Sequence, residues 1–190
     1  HGLGSRRMRL RPGPVARVRP RIAAVREAQP HTHGHSGEAG DLEAAKPLFE
    51  AMGRQAVHAG AHGAGATVKL VNNMLSGTMN AALAEALSIA EAAGVSREAA
   101  QAILPQGAAG SRLMVTKIPK MLDRDFSPLF QLALMDKDLR YFLSLAQQVD
   151  RPAPIAALVR SQMQAARRAG LGALDVSAIW LQATGDRRDS

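Results

Sequence analysis

The stretch Gly60-Ala-His-Gly63-Ala-Gly65-Ala-Thr-Val-Lys69-Leu-Val-Asn72-Asn73-Met-Leu-Ser-Gly-Thr-Met-Asn80 decides how this chain is read. Three glycines lead into a long segment without proline, and from about Gly65 to Ala93 the apolar residues recur at helical spacing. Val68, Val71, Leu75, Met79, Ala82, Leu83, Ala86, Leu87 and Ala90 keep one stripe through roughly eight turns, and Gly94 marks the stop. The entry to such a helix presents free backbone N–H groups and the positive end of its dipole, which favour an anion. Just inside it, Lys69 and Asn73 stand at i and i+4, hence on one face. A lysine among backbone donors can serve as general acid or base, and an asparagine one turn on can hold it or its substrate. Taken alone, the spacing also fits a solvated lysine after a glycine-rich turn.

Outward from this helix the text stays helical. Asp41 caps an expected helix Leu42–Met52, and Val57–Gly60 reads as a short linker. Ser96 opens a helix to about Leu104 that Pro105 ends. Gly107–Gly110 is a loop, and Ser111–Leu122 a short helix. Ser127-Pro128, a cap followed by a first-turn proline, predicts a helix from Pro128 to about Gln148. Further helices are expected over Ile155–Ala169 and from Asp175 to about Gln182. No strand is expected after residue 60, so the predicted core is an all-α bundle around one long helix.

The 190 residues carry a net charge of +8, with 46% hydrophobic residues, 3% aromatic and no cysteine. The absence of cysteine excludes a disulfide framework, a zinc ribbon and a thiolate nucleophile, and suits a reducing compartment, here expected to be the cytoplasm. No apolar run reaches the ~20 residues that cross a bilayer, so no membrane partner is expected. A basic balance invites a nucleic-acid reading, but the charge is not spread evenly. Residues 1–36 hold eight arginines and one acid, Glu27, and account for +7; the rest carries +1. With four prolines and no helical or strand period, residues 1–36 read as a disordered Arg/Pro/His-rich arm. The arm has no interleaved aromatics for base stacking, and His31, His33 and His35 at alternate spacing make no preformed metal site. No metal is assigned.

Beyond these patterns, Gly60–Asn73 resembles the signature that opens the helical domain of the β-hydroxyacid dehydrogenases. This family includes 3-hydroxyisobutyrate dehydrogenase and glyoxylate/succinic semialdehyde reductase and is related to 6-phosphogluconate dehydrogenase. Gly37–Gly53 resembles the last part of the family's nucleotide-binding domain, Phe126-Ser-Pro-Leu-Phe130 with Met135-Asp-Lys137-Asp138-Leu139 its second signature, and Gly172-x-x-x-Asp175-x-Ser177-Ala178 its closing one. The resemblance implies four regions: an arm over 1–36, the remnant of a Rossmann domain over 37–60, a helical substrate and dimerisation domain over 61–186, and a tail over 187–190.

It also implies a function and a site. The activity would be hydride transfer between NAD or NADP and a small hydroxyacid or semialdehyde, in a homodimer or homotetramer. Lys69 would match the catalytic lysine, protonating the carbonyl oxygen in one direction and taking the hydroxyl proton in the other. Asn73, Gly63 and Gly65 would match substrate-binding positions. Phe130, Lys137 and Asp138 would match positions on the cofactor side of the cleft, with Phe130 and Asp138 on one face of the helix expected from Pro128. Residues 1–36 contain no G-x-G-x-x-G fingerprint, so an incomplete chain with little activity of its own is expected. The alternative is a non-catalytic helical dimerisation module whose basic arm touches nucleic acid.

Overall fold

The computed structural model describes residues 32–35 and 55–185, and the expected helix Leu42–Met52, most of the arginine-rich arm and the tail lie outside them. The long helix is present: α1 spans Ala64–Ala92. Gly94 turns the chain out of it at φ 84°. Then come α2 (Arg97–Ile103), a 3-10 turn at Leu104–Gln106, α3 (Arg112–Leu122), α4 (Leu132–Gln148), α5 (Pro154–Arg168), a 3-10 turn at Val176–Ile179 and α6 (Trp180–Ala183). Ser96 and Ser111 act as N-caps, accepting from the N–H of Ala99 and Met114. Pro154 occupies the first turn of α5, where its missing N–H costs nothing. The helical body is all-α, and no helix among the described residues is long and apolar enough to cross a membrane.

Two short strands precede it. β1 (Thr32–His35) pairs in parallel with β2 (Gln55–His58), with His35 opposite His58. Neither was expected: β1 falls at the end of the arm, and β2 overlaps the segment read as a linker. A parallel pair is made by a non-local crossover, and neither four-residue strand carries the apolar alternation that would announce it in sequence.

The core is built from Leu83, Leu87, Ile118, Met121, Leu132, Met135, Leu139, Met163 and Trp180, all buried. Leucine, methionine and alanine fill the space between α1, α4 and α5 with few aromatics. Polar ties add specificity to this packing. Asp136 of α4, buried, takes Arg160 at 3.3 Å and also Arg167, both from α5.

Two expectations change. Of the predicted α1 stripe only Leu83 and Leu87 are fully buried; the buried face is Gly77, Asn80, Ala81, Leu83, Ala84 and Leu87. Val68, Val71 and Leu75 are 50%, 41% and 54% exposed. The stripe was read as if the whole helix packed against the bundle, whereas its fully buried residues begin only at Gly77. The second change concerns α4, which starts at Leu132 and not at Pro128. The N–H groups of Leu129 and Phe130 donate to Asp175 Oδ2 at 2.9 and 3.1 Å, and Gln131 bridges Asp175 in antiparallel fashion. The first-turn N–H groups of Leu132 and Ala133 are taken by the carbonyls of Leu174 and Gly172. Residues 129–131 are thus pinned as a bent, non-helical strap by a distant segment, and that overrides the local Ser-Pro signal.

Candidate active site

Gly63 is the N-cap of α1 in the left-handed conformation, φ 92°, with open space where a Cβ would stand. Glycine is the residue that takes this φ at no steric cost. No side chain caps the helix and no acid stands in its first turn, where Gly65 lies. The Ala64 N–H is taken by the Ala61 carbonyl at 3.0 Å, and the positive end of the helix dipole at this entry favours a carboxylate or phosphate. Lys69 follows in the second turn, exposed to solvent and without a hydrogen bond or ion pair to the described residues. Asn73 stands ~6 Å further along the axis on the same face.

Asn73 is where a second element enters. Its Nδ2 donates to Oδ2 of Asp138 on α4 at 2.7 Å. The other carboxylate oxygen, Oδ1, faces Lys137 Nζ at 3.2 Å. The contact exists because α1 and α4 come unusually close one turn away: a Cβ on Gly77 would lie 2.8 Å from Met135 Sδ and 3.3 Å from its Cγ. Moving back along α1 from Gly77 to Asn73 and forward along α4 from Met135 to Asp138, the two helices run antiparallel.

The two polar residues of α4 are unequal. The Asp138 side chain is 6% exposed and that of Lys137 is 42% exposed, so Lys137 is the one that can meet a bound molecule. Its ammonium also lies 5.8 Å from the Tyr141 ring centroid, with the Arg140 guanidinium at 5.1 Å from the same ring. This makes a cationic, aromatic margin on α4.

The structure therefore brings Asn73, Lys137 and Asp138 together, with Lys69, Gly65 and Gly63 ahead of them on α1. Phe130 is not on a helical face with Asp138, because it precedes α4 in the strap; it is half-buried against the core. Asn72 is exposed.

Sequence reasoning missed the group that holds the strap. Asp175, read as a helix cap within the closing signature, is fully buried and receives Lys117 Nζ at 2.6 Å and Ser177 Oγ at 2.7 Å. Burial pushes its carboxyl up. The bonds from Lys117, Ser177 and the backbone of Ser177 and Phe130 outweigh that and hold it at about 2. Lys120, one turn along α3, similarly reaches Asp125 at 3.0 Å and Ser127 at 3.1 Å. The available signal was two lysines at i and i+3 in a helix that otherwise reads as core.

Comparison with known proteins follows the same outline. The family profile described as "NAD-binding of NADP-dependent 3-hydroxyisobutyrate dehydrogenase" matches residues 63–181. A 3-sulfolactaldehyde reductase of Escherichia coli (strain K12) is 40% identical over 144 residues, 75% of this chain and 48% of that protein. Glyoxylate/succinic semialdehyde reductase 1 of Arabidopsis thaliana is 33% identical over 144 residues, 76% of this chain and 50% of the relative. A crystal structure of 3-hydroxyisobutyrate dehydrogenase from Salmonella typhimurium superposes with a TM-score of 0.71 at 27% identity, over 76% of this chain and 51% of that one. The chain spans about half the length of the relatives it matches.

Proposed function

The chain belongs to the NADP-dependent 3-hydroxyisobutyrate dehydrogenase family, and from that premise we propose that it supplies the acid–base half of a nicotinamide-dependent oxidoreductase acting on a small hydroxyacid or its semialdehyde. The cofactor class, NAD(P), comes with the family. The residues present fit such a group: the partly exposed ammonium of Lys137 and the positive dipole end of α1, with no acid in its first turn, suit a polar, anionic molecule. When bound, the nicotinamide provides the hydride chemistry.

The chain's own residues handle the proton. Lys69 gives a proton to the carbonyl oxygen during reduction and takes the hydroxyl proton during oxidation. Asn73 orients the oxygen that changes protonation. Gly63 and Gly65 let backbone N–H groups approach the substrate carboxylate. Lys137 and Phe130 stand for the cofactor side of the cleft. The observation that carries this reading is the placement of an unpaired, accessible Lys69 one turn from an Asn73 anchored on a second helix.

The self-associating state, a homodimer or homotetramer, belongs to the same proposal. Its support is the exposed apolar row Val68, Val71 and Leu75 on the front half of α1. On its own this chain, which spans about half the length of its relatives, is expected to turn over slowly or not at all, because hydride transfer needs the nicotinamide held against the substrate.

The test joins this chain to the nucleotide-binding half of a family relative and follows NADPH consumption with succinic semialdehyde or glyoxylate. Turnover that Lys69→Ala lowers by about two to four orders of magnitude is expected. Turnover indifferent to Lys69→Ala would refute the assignment.

A further inference from the structure

Asp138 was expected on the cofactor side of the cleft, yet its side chain is buried and both of its oxygens already face protein donors, Asn73 and Lys137. We propose instead that Asp138 is a positioning residue that acts through Asn73: it fixes the sense of the Asn73 carboxamide, so that the carbonyl Oδ1 is the atom turned toward Lys69 and the substrate hydroxyl. The inference rests on the reading of Lys69 as acid–base residue and reassigns the one acid of that site.

The argument is one of donors and acceptors. A carboxamide carries a donor end and an acceptor end, and on a helix surface either can point either way. A carboxylate accepts and does not donate. At 2.7 Å from Asp138 Oδ2, the amide must present Nδ2, because the flipped amide would set two acceptor oxygens against each other. The hydrogen bond joins two helices held close by Gly77 against Met135, so the amide cannot escape by a small shift of α4. Asn73 Oδ1 is thereby left as a pure acceptor, with no bond from the described residues.

What it can meet follows directly. The lysine ammonium is donor-only, and an alcohol hydroxyl donates one hydrogen. A carbonyl oxygen offers none. Asn73 Oδ1 therefore serves the alcohol directly and holds Lys69 when the carbonyl form is bound. Lys137, facing Oδ1 of Asp138 at 3.2 Å, supplies the positive charge that balances the buried carboxylate from the exposed side.

The test uses the 190-residue chain with its side-chain amides labelled for NMR. In the wild type, the Asn73 carboxamide should be protected from solvent exchange. Asp138→Ala should speed that exchange about tenfold and weaken binding of the probe 3-hydroxypropionate by about the same factor, read from the Lys69 and Asn73 signals. Asp138→Asn puts a carboxamide with both a donor and an acceptor end in that place, so the helix contact can form in either sense. The Asn73 amide should keep only part of its protection, and 3-hydroxypropionate binding should fall between the wild type and Asp138→Ala. The double swap Asn73→Asp with Asp138→Asn should keep the helix contact, move the protected carboxamide to position 138, and lose 3-hydroxypropionate binding, because the sense of the pair is reversed.

Backbone exchange in α5 serves as the control for a merely structural effect and should not move in Asp138→Asn. An Asn73 amide as protected in Asp138→Ala as in the wild type would overturn the proposal. So would a loss of protection with 3-hydroxypropionate binding intact. If the wild type bound no 3-hydroxypropionate at all, the reading of Lys69 as part of a hydroxyacid site would fail. The amide protection would still decide whether Asp138 sets the sense of Asn73.

Discussion

Asp175 carries more of the fold than any other charged residue described. One oxygen receives Lys117 and Ser177, and the other receives the backbone of Leu129 and Phe130. Breaking a buried pair by removing one partner leaves an uncompensated charge, so Asp175→Ala should cost about 3–5 kcal/mol in denaturant unfolding. The double variant Lys117→Met with Asp175→Asn, which leaves no orphan charge, should cost clearly less than the sum of the single losses. The same residue sets a pH dependence. Its carboxyl sits at about 2 in the folded chain against an ordinary 3.8, so the unfolded chain binds its proton first as the pH falls. The stabilisation is therefore complete above about pH 4 and lost on descending toward pH 2. Asp125, held at about 2 chiefly by Ser127 and Lys120, adds in the same direction. Unfolding midpoints measured from about pH 5 to pH 2 should fall steeply in the wild type and less steeply in Asp175→Asn. Lys69 is the opposite case: exposed and unpaired, it should tolerate Lys69→Ala with a stability change within about 0.5 kcal/mol.

Between elements, the approach of α1 and α4 at Gly77 decides whether the site exists. Gly77→Ala would gain up to about 1 kcal/mol in helix propensity. It would also drive a methyl group into Met135, which is itself buried between Leu132 and Leu139 and has little room to move. Overpacking of this kind costs about 1–3 kcal/mol, so a net loss near 1 kcal/mol is expected. The larger Gly77→Val should also separate Asn73 from Asp138, seen as loss of Asn73 amide protection. These contacts mark how far the sequence is legible. Helix existence was readable wherever caps and breakers are local, as at Ser96, Gly94, Ser111 and Pro154. The start of α4 was not readable, because it is set by Asp175, more than forty residues away along the chain. Lys69, Asn73 and Asp138 could be named from their motifs, but the Asn73–Asp138 bond is a fact of packing between helices that no spacing within one helix contains. Phe130 was placed on the wrong element for the same reason as the α4 boundary. The β1–β2 pair was invisible because a parallel partner is never a sequence neighbour.

At the scale of the molecule, the charge that first invites a nucleic-acid partner lies in residues 1–36, while the helical body is nearly neutral. What that body leaves open is apolar: Val68, Val71 and Leu75 on α1. If this row is covered by a second copy, light scattering should report a dimer or larger, and Leu75→Asp should shift it toward monomer without unfolding α1. The acid–base role of Lys69 is the centre of the account, and it is tested most directly where the nicotinamide is supplied. Joined to the nucleotide-binding half of a relative, the chain should reduce a small semialdehyde with NADPH, and Lys69→Ala should lower that rate by about a hundredfold or more while leaving the unfolding midpoint in place. Equal rates for Lys69→Ala and the wild type would contradict it.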